Sequence, residues 1–247
     1  MHSVSRSPEP DYWEQLKANN QRWEDLEGPE RVQIRDSLVE DFGPVCAYCE
    51  RPCVSPTPTH DSPDEETVDH FRPRSLFHHL SFDWFNLIYA CHRCNQSKNN
   101  QWPGNDDESV NQALVSLFPG RYTPPHEYVN PNWAVGEKHV REYFAFNVDT
   151  GEMTPSEELD AFEWSVAYRT IRDIDLNDYS NESPGENSPA HLWNRRRNHL
   201  NFLASQLNQI DDITAQISIV HQFTMPDKPY SSFISAWVNE RFGSMPQ

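Results

Sequence analysis

Residues 68–75 read VDHFRPRS and residues 89–100 read YACHRCNQSKNN. The second run carries Cys91 and Cys94 as a C-x-x-C pair. A matching pair, Cys46 and Cys49, stands upstream in CAYCE, 41 residues before it. Two such pairs can bring four thiolates to one tetrahedral Zn²⁺, each pair supplying two ligands through a tight knuckle. Four ordinary buried cysteines are the plainer alternative, since free cysteine is among the most buried residue types, but two i, i+3 pairs fit that description poorly. Cys53 is the odd one of five. Its spacing from Cys49 is C-x-x-x-C, so it reads as a bystander. With four sulfurs the zinc has no open position and holds the fold without performing catalysis.

Around these knuckles the pattern predicts two short strands, ETVDHF and FNLIYA, and a helix opening at Asn95. If zinc draws the knuckles together, Asp69-His70 and Asn95 come close in space. Hydrolysis of a phosphodiester needs a base for water and a cation to neutralise charge on the leaving oxygen. His70 can serve as base, with an unperturbed pKa of roughly 6.5. Asp69 and Asn95 offer the hard oxygens Mg²⁺ prefers. Asn86 orients the histidine or pins the intervening loop, although asparagine also commonly ties down turns. Arg72, Arg74, Arg93 and Lys98 are the candidates for gripping phosphates. His78, His79 and His92 have no place in this constellation and read as polar loop residues.

The charge balance pulls the other way. The 247-residue chain has a formal net charge of −18, awkward for a nucleic-acid ligand because phosphate affinity comes mainly from Lys and Arg. Between Val68 and Trp102, however, four cations face Asp69 and Asp83, a local net charge of +2. So weak a basic island implies help from a partner. Hydrophobic content is 36%, and 8 Trp, 9 Tyr and 13 Phe supply a core. No run approaches the ~20 apolar residues of a membrane span, and the first residues do not read as a signal or transit peptide. A cytoplasmic protein without a disulfide framework is the expectation.

The flanks read as helical: one helical stretch over 11–27, a helix from Pro29 to Gly43, a Pro-rich surface loop at 50–67, and a strand with an Asp-Thr-Gly turn at 139–153. A helix follows to Asp173 from a capping box at Thr154 and Glu157. After the linker NESPGENSP, a long helix starts at Ser188-Pro189 with Leu200, Leu203, Leu207, Ile210 and Ile217 along one side, and a last helix carries Phe233, Trp237 and Phe242. Arg195, Arg196 and Arg197 point in different directions on a helix and read as ion-pairing or partner residues. This divides the chain into 1–43, a Cys/His-bearing centre at 44–102, and 103–247.

The run CAYCE…VDHFRPRS…FNLIYACHRCNQSK resembles the HNH, or ββα-metal, endonucleases with an embedded Cys₄ zinc. The resemblance implies an α+β fold: a ββα-metal core clamped by zinc and embedded in mainly α-helical N- and C-terminal flanks. It places the general base at His70, the metal-binding acid at Asp69, the middle asparagine at Asn86 and the final metal ligand at Asn95, with Mg²⁺ or Mn²⁺ as catalytic ion. VNPNWAVGEKHVREYFAFNVDTGEMTP, AYRTIRDIDLN and LWNRRRNHL are similar to the C-terminal part of PtuB-type HNH proteins of Septu and retron anti-phage systems, which act with an ABC-like ATPase of the PtuA type. The resemblance thus implies a nuclease subunit that docks such an ATPase through its helical flanks, with DNA the favoured substrate. Two rivals stay open: an HNH effector that cuts RNA such as tRNA, and a non-catalytic zinc-stabilised interaction module.

Overall fold

The computed structural model describes residues 1, 4, 6–19, 22–56, 62–105, 107–132, 138–178 and 191–243. Helix α1 (Trp13–Asn19) is shorter than the 11–27 stretch predicted; Trp23–Asp25 re-enters as a separate 3₁₀ turn. Helix α2 (Gly28–Phe42) has Pro29 in its first turn, where the missing N–H costs nothing, and a Glu27/Glu30 capping box. It buries Ile34, Leu38 and Phe42, one stripe at i, i+4, i+8.

Strand β1 (Glu66–His70) pairs antiparallel with β2 (Leu87–Cys91), in a register that sets His70 opposite Leu87 and Glu66 opposite Cys91. Every residue of β2 is buried, so it lacks the polar alternation of a half-exposed strand. Helix α3 (His92–Lys98) starts directly at the end of β2, three residues before the expected Asn95, and packs on both strands. These three elements form a ββα unit, covered on one side by α2.

Downstream come α4 (Glu108–Leu117), a 3₁₀ turn at Val140–Tyr143, and a small hairpin of β3 (Phe144–Phe146) and β4 (Met153–Pro155). The hairpin corrects the capping box expected at Thr154 and Glu157. Those residues lie in and just after a paired strand, and α5 (Ala161–Asp173) is capped instead by Asp160 and Glu163. Gly151 closes the turn at φ +81°, with the Trp193 carbonyl oxygen 2.2 Å from where a Cβ would sit. Only glycine fits there.

The linker at 181–189 and the Ser188-Pro189 start lie outside the described residues. Helix α6 (Leu192–Leu207) buries Leu200 and Leu203, as expected. The stripe ends there: Ile217 sits on a separate helix, α7 (Ile213–Thr224), and is exposed, because Asp212 caps a new start. Helix α8 (Ser231–Phe242) buries Phe233 and leaves Phe242 exposed. The fold is α+β, small sheets among helical flanks, and residues from all three stretches of the chain join one hydrophobic cluster running from Trp13 through β2 to Phe233. Arg196 is part of that interior, donating to the carbonyls of Gly151 and Leu176 at 3.0 and 2.8 Å, while Arg195 pairs with Asp64 at 3.1 Å. Among the described residues no helix is long and apolar enough to cross a membrane.

Candidate metal centre and cleavage site

The first knuckle is shaped by its backbone. Cys46 N–H bonds the Arg51 carbonyl, Glu50 N–H bonds the Cys46 carbonyl, and Glu50 takes φ +60° to close the turn. Ala47 N–H reaches the Tyr89 carbonyl at 3.0 Å and ties the knuckle to β2, whose last residue is Cys91. As a result the sulfurs of Cys46, Cys49, Cys91 and Cys94 lie within 4.8 Å of one another, all buried. The Cys49 and Cys91 sulfurs are 3.8 Å apart. A tetrahedron with Zn–S bonds of ~2.3 Å has sulfur–sulfur edges of about 3.8 Å, so the donor set fits zinc. Burial opposes charge on Cys49, but its sulfur neighbours and Arg51 outweigh it and hold the thiol well below its ordinary range. Cys53 stays outside the cluster, and burial pushes its thiol well up.

Beside the ββα unit a cavity of about 420 Å³ opens, bordered by Trp23, Arg31, Asp69, His70, Arg74 and Asn95. His70 ends β1 and is 6% exposed, its ring lying edge-on to Trp23 at 4.5 Å. Nε2 sits 3.0 Å from the Ser81 carbonyl oxygen, which can only accept, so Nε2 carries the proton. In the neutral ring Nδ1 is therefore the basic nitrogen. Burial holds the imidazole below the ordinary histidine value, against the pull of the Ser81 carbonyl and Asp69.

Asp69 is 4% exposed and well partnered. Tyr48 donates its hydroxyl to Oδ2 at 2.7 Å, and Lys98 Nζ lies 3.1 Å from Oδ1 and 3.0 Å from Oδ2. These contacts leave one lone-pair direction free, on Oδ1. Asn95 is oriented by elimination. Thr67 Oγ1 gives its proton to the Ala90 carbonyl and so accepts from Asn95 Nδ2 at 3.0 Å. The Val68 carbonyl takes a second contact from the same nitrogen at 3.4 Å. The amide nitrogen is thus held against β1, and the oxygen is the group left over. Two oxygen donors on one cavity fit a hard divalent cation.

Asn86 does not border the cavity. Its Oδ1 accepts from Arg72 N–H at 2.8 Å, and its Nδ2 donates to the carbonyls of Arg72 and Leu80 at 3.1 and 3.2 Å. It fastens both ends of the loop that brings Ser81 to His70. Of the cations read as phosphate contacts, only Arg74 borders the cavity, bound there to Glu24. Arg72 is exposed elsewhere, its guanidinium 6.0 Å from the Trp102 ring. Arg93 pairs with Asp175 at 2.9 Å and with Asp178. Lys98 is fully buried and gives its third contact to the His70 carbonyl at 2.7 Å. It faces inward, as counter-ion of Asp69, where a phosphate has no access.

Sequence reasoning missed Tyr48, Trp23, Arg31 and His92, which also borders the cavity. The aromatic between two knuckle cysteines was a usable signal for Tyr48. Trp23 and Arg31 reach the site from 47 and 39 residues before His70, and nothing local announces them.

The ββα unit thus carries a four-sulfur cluster and a cavity lined by Asp69, His70 and Asn95. Residues 46–101 match the family model for HNH endonuclease. This segment is an HNH endonuclease domain bearing a four-cysteine cluster. No curated protein matches the chain.

Proposed function

We propose that the protein is a metal-dependent HNH endonuclease subunit that hydrolyses nucleic-acid phosphodiesters, DNA in preference to RNA, within an anti-phage defence complex that includes an ABC-like ATPase. The observation that carries the nuclease reading is the shared cavity. His70, Asp69 and Asn95 line a single opening beside the HNH strands, and the hydrogen bonds of His70 Nε2 and Asn95 Nδ2 leave Nδ1 and the amide oxygen for chemistry.

His70 Nδ1 takes a proton from water as the water oxygen attacks phosphorus. The bond to the leaving oxygen breaks, and that oxygen is protonated from solvent. Nε2–H, held on the Ser81 carbonyl, keeps the ring in the right tautomer through this transfer. When bound by Asp69 and Asn95, a Mg²⁺ or Mn²⁺ ion supplies positive charge against the charge that develops on the leaving oxygen. Lys98 and Tyr48 hold the Asp69 carboxylate in place. Cys46, Cys49, Cys91 and Cys94 would hold a structural zinc that fixes β2 against α3 and takes no part in the cleavage.

The partner is supported by the net charge of −18, which opposes unaided binding to a polyanion, and by the resemblance of the C-terminal region to PtuB-type proteins. The test is cleavage of supercoiled plasmid and of tRNA in Mg²⁺ or Mn²⁺, wild type against His70→Ala, each alone and with a PtuA-type ATPase. Metal-dependent cutting that disappears in His70→Ala establishes the enzyme, and the substrate cut identifies the class. Equal cutting with and without the ATPase sinks the partner. No cutting in any combination, with zinc bound and the fold intact, leaves the non-catalytic zinc module.

A further inference from the structure

The cavity has a second cation besides Arg74, and it comes from outside the HNH segment. Arg31 stands in the first turn of α2. Its Nε donates to the Leu26 carbonyl at 3.0 Å, and Nη2 donates to the carbonyls of Trp23 and Glu24 at 3.3 and 3.5 Å. Three of the five guanidinium donors are used in this way, and the two on Nη1 have no partner among the described residues. Carbonyl oxygens orient the group without neutralising it. Among the described residues no carboxylate pairs with Arg31, whereas Arg74 has Glu24, Lys98 has Asp69, Arg93 has Asp175 and Arg35 has Glu66. Arg31 is therefore an oriented, uncompensated cation on the wall of the cavity that holds Asp69, His70 and Asn95.

We infer that Arg31 binds a backbone phosphate of the nucleic-acid substrate, so that α2 supplies a substrate contact from outside the HNH segment. The inference rests on the nuclease reading. A fixed guanidinium loses less freedom than a mobile one when it meets a phosphate, and charge-assisted hydrogen bonds to an anion are the strong kind.

The experiment measures binding of a fluorescein-labelled single strand, the corresponding duplex and tRNA by anisotropy across a salt series. The full-length, zinc-loaded protein carries His70→Ala to prevent cutting, and Arg31→Gln and Arg31→Lys are compared on that background. Plasmid and tRNA cleavage by the otherwise wild-type protein is run beside it, with and without the ATPase. Each phosphate contact contributes a slope of roughly 0.7 (single strand) to 0.9 (duplex) in log K against log salt. Arg31→Gln should lose about one such increment and weaken binding on the order of tenfold at low salt. Arg31→Lys should restore the slope, because it keeps the charge. Binding and cleavage that persist with an unchanged slope in Arg31→Gln overturn the inference and leave the nuclease standing. Equal weakening in both variants at constant slope also overturns it, assigning Arg31 only to support of the Trp23 turn. Absence of both binding and wild-type cleavage overturns the nuclease reading, and this inference with it.

Discussion

Replacing Lys98 with methionine separates its observed place from the phosphate-gripping role expected of it. The ammonium is fully buried, with Asp69 oxygens at 3.1 and 3.0 Å and the His70 carbonyl at 2.7 Å. Methionine fills similar volume but leaves the 4%-exposed Asp69 carboxylate with only the Tyr48 hydroxyl. Removing one partner of a buried pair costs about 3–5 kcal/mol, because the remaining charge is left largely uncompensated. With a urea m-value of about 2.5–3 kcal/mol/M for a chain of this size, the unfolding midpoint should fall by about 1–2 M. The assay is urea unfolding of zinc-loaded protein without Mg²⁺, followed by near-UV circular dichroism, on Lys98→Met, Asp69→Asn and the double variant. The double variant removes both charges and should lose clearly less than the two single losses combined, by roughly 2 kcal/mol or more. A Lys98→Met midpoint within experimental error of wild type, together with weakened nucleic-acid binding, would refute the reasoning and return Lys98 to the substrate.

The sulfur cluster predicts one zinc per chain by atomic absorption; Cys91→Ser should lose the metal and much of the structure, whereas Cys53→Ser should keep both. Because burial lowers the His70 pKa, its basic form persists below pH 6.5, so the acid limb of the cleavage pH–rate profile should lie beneath the ordinary histidine value. Trp23→Ala admits water to the ring and should move that limb upward; a limb that stays in place would remove Trp23 from the argument. Asn86→Ala strands the Arg72 N–H and two carbonyls at the base of the loop. It should cost about 2–3 kcal/mol of stability and slow cleavage more than it weakens binding, since Ser81 no longer holds His70 in place. Unchanged thermal melting with unchanged kcat would count against that account.

The parts of the site that could be read from the sequence are those fixed by chemistry over a few residues. A C-x-x-C pair closes its own turn, so the two pairs pointed to one cluster, and β2 followed from the apolar run that ends at Cys91. The Asp-His-Asn set was legible as residue types in order. Its geometry was not, because the direction of a side chain at a strand end depends on what packs over it. Asp69 and His70 are consecutive and both buried, against the alternation of a strand, since α3 covers one and the Trp23 turn covers the other. Lys98 illustrates the same point. Sequence counts its charge, while the helix face that carries it decides whether the charge meets solvent or Asp69. The capping error at Thr154 has a different origin. Asp160 and Glu163 offered an equally good capping box six residues on, and pairing of Met153–Pro155 with β3 selected it.

The distribution of charge also bears on why so acidic a chain should carry a site for a polyanion. The window around the site counts as +2 in sequence, yet Lys98, Arg93 and Arg74 are each engaged by a carboxylate in the fold. Lys98 is fully buried behind Asp69, and Arg93 is drawn away from the cavity to Asp175 and Asp178. Glu24 and Arg74 are both partly exposed, so their pair is weak and a phosphate can compete for it. At the cavity itself, the described residues leave Arg31, Arg74 once released, and whatever divalent charge Asp69 and Asn95 hold to attract nucleic acid. Two arginines provide a salt-sensitive, low-affinity grip. So few free cations at the cavity predict nucleic-acid binding by the protein alone that is weak and lost as salt rises.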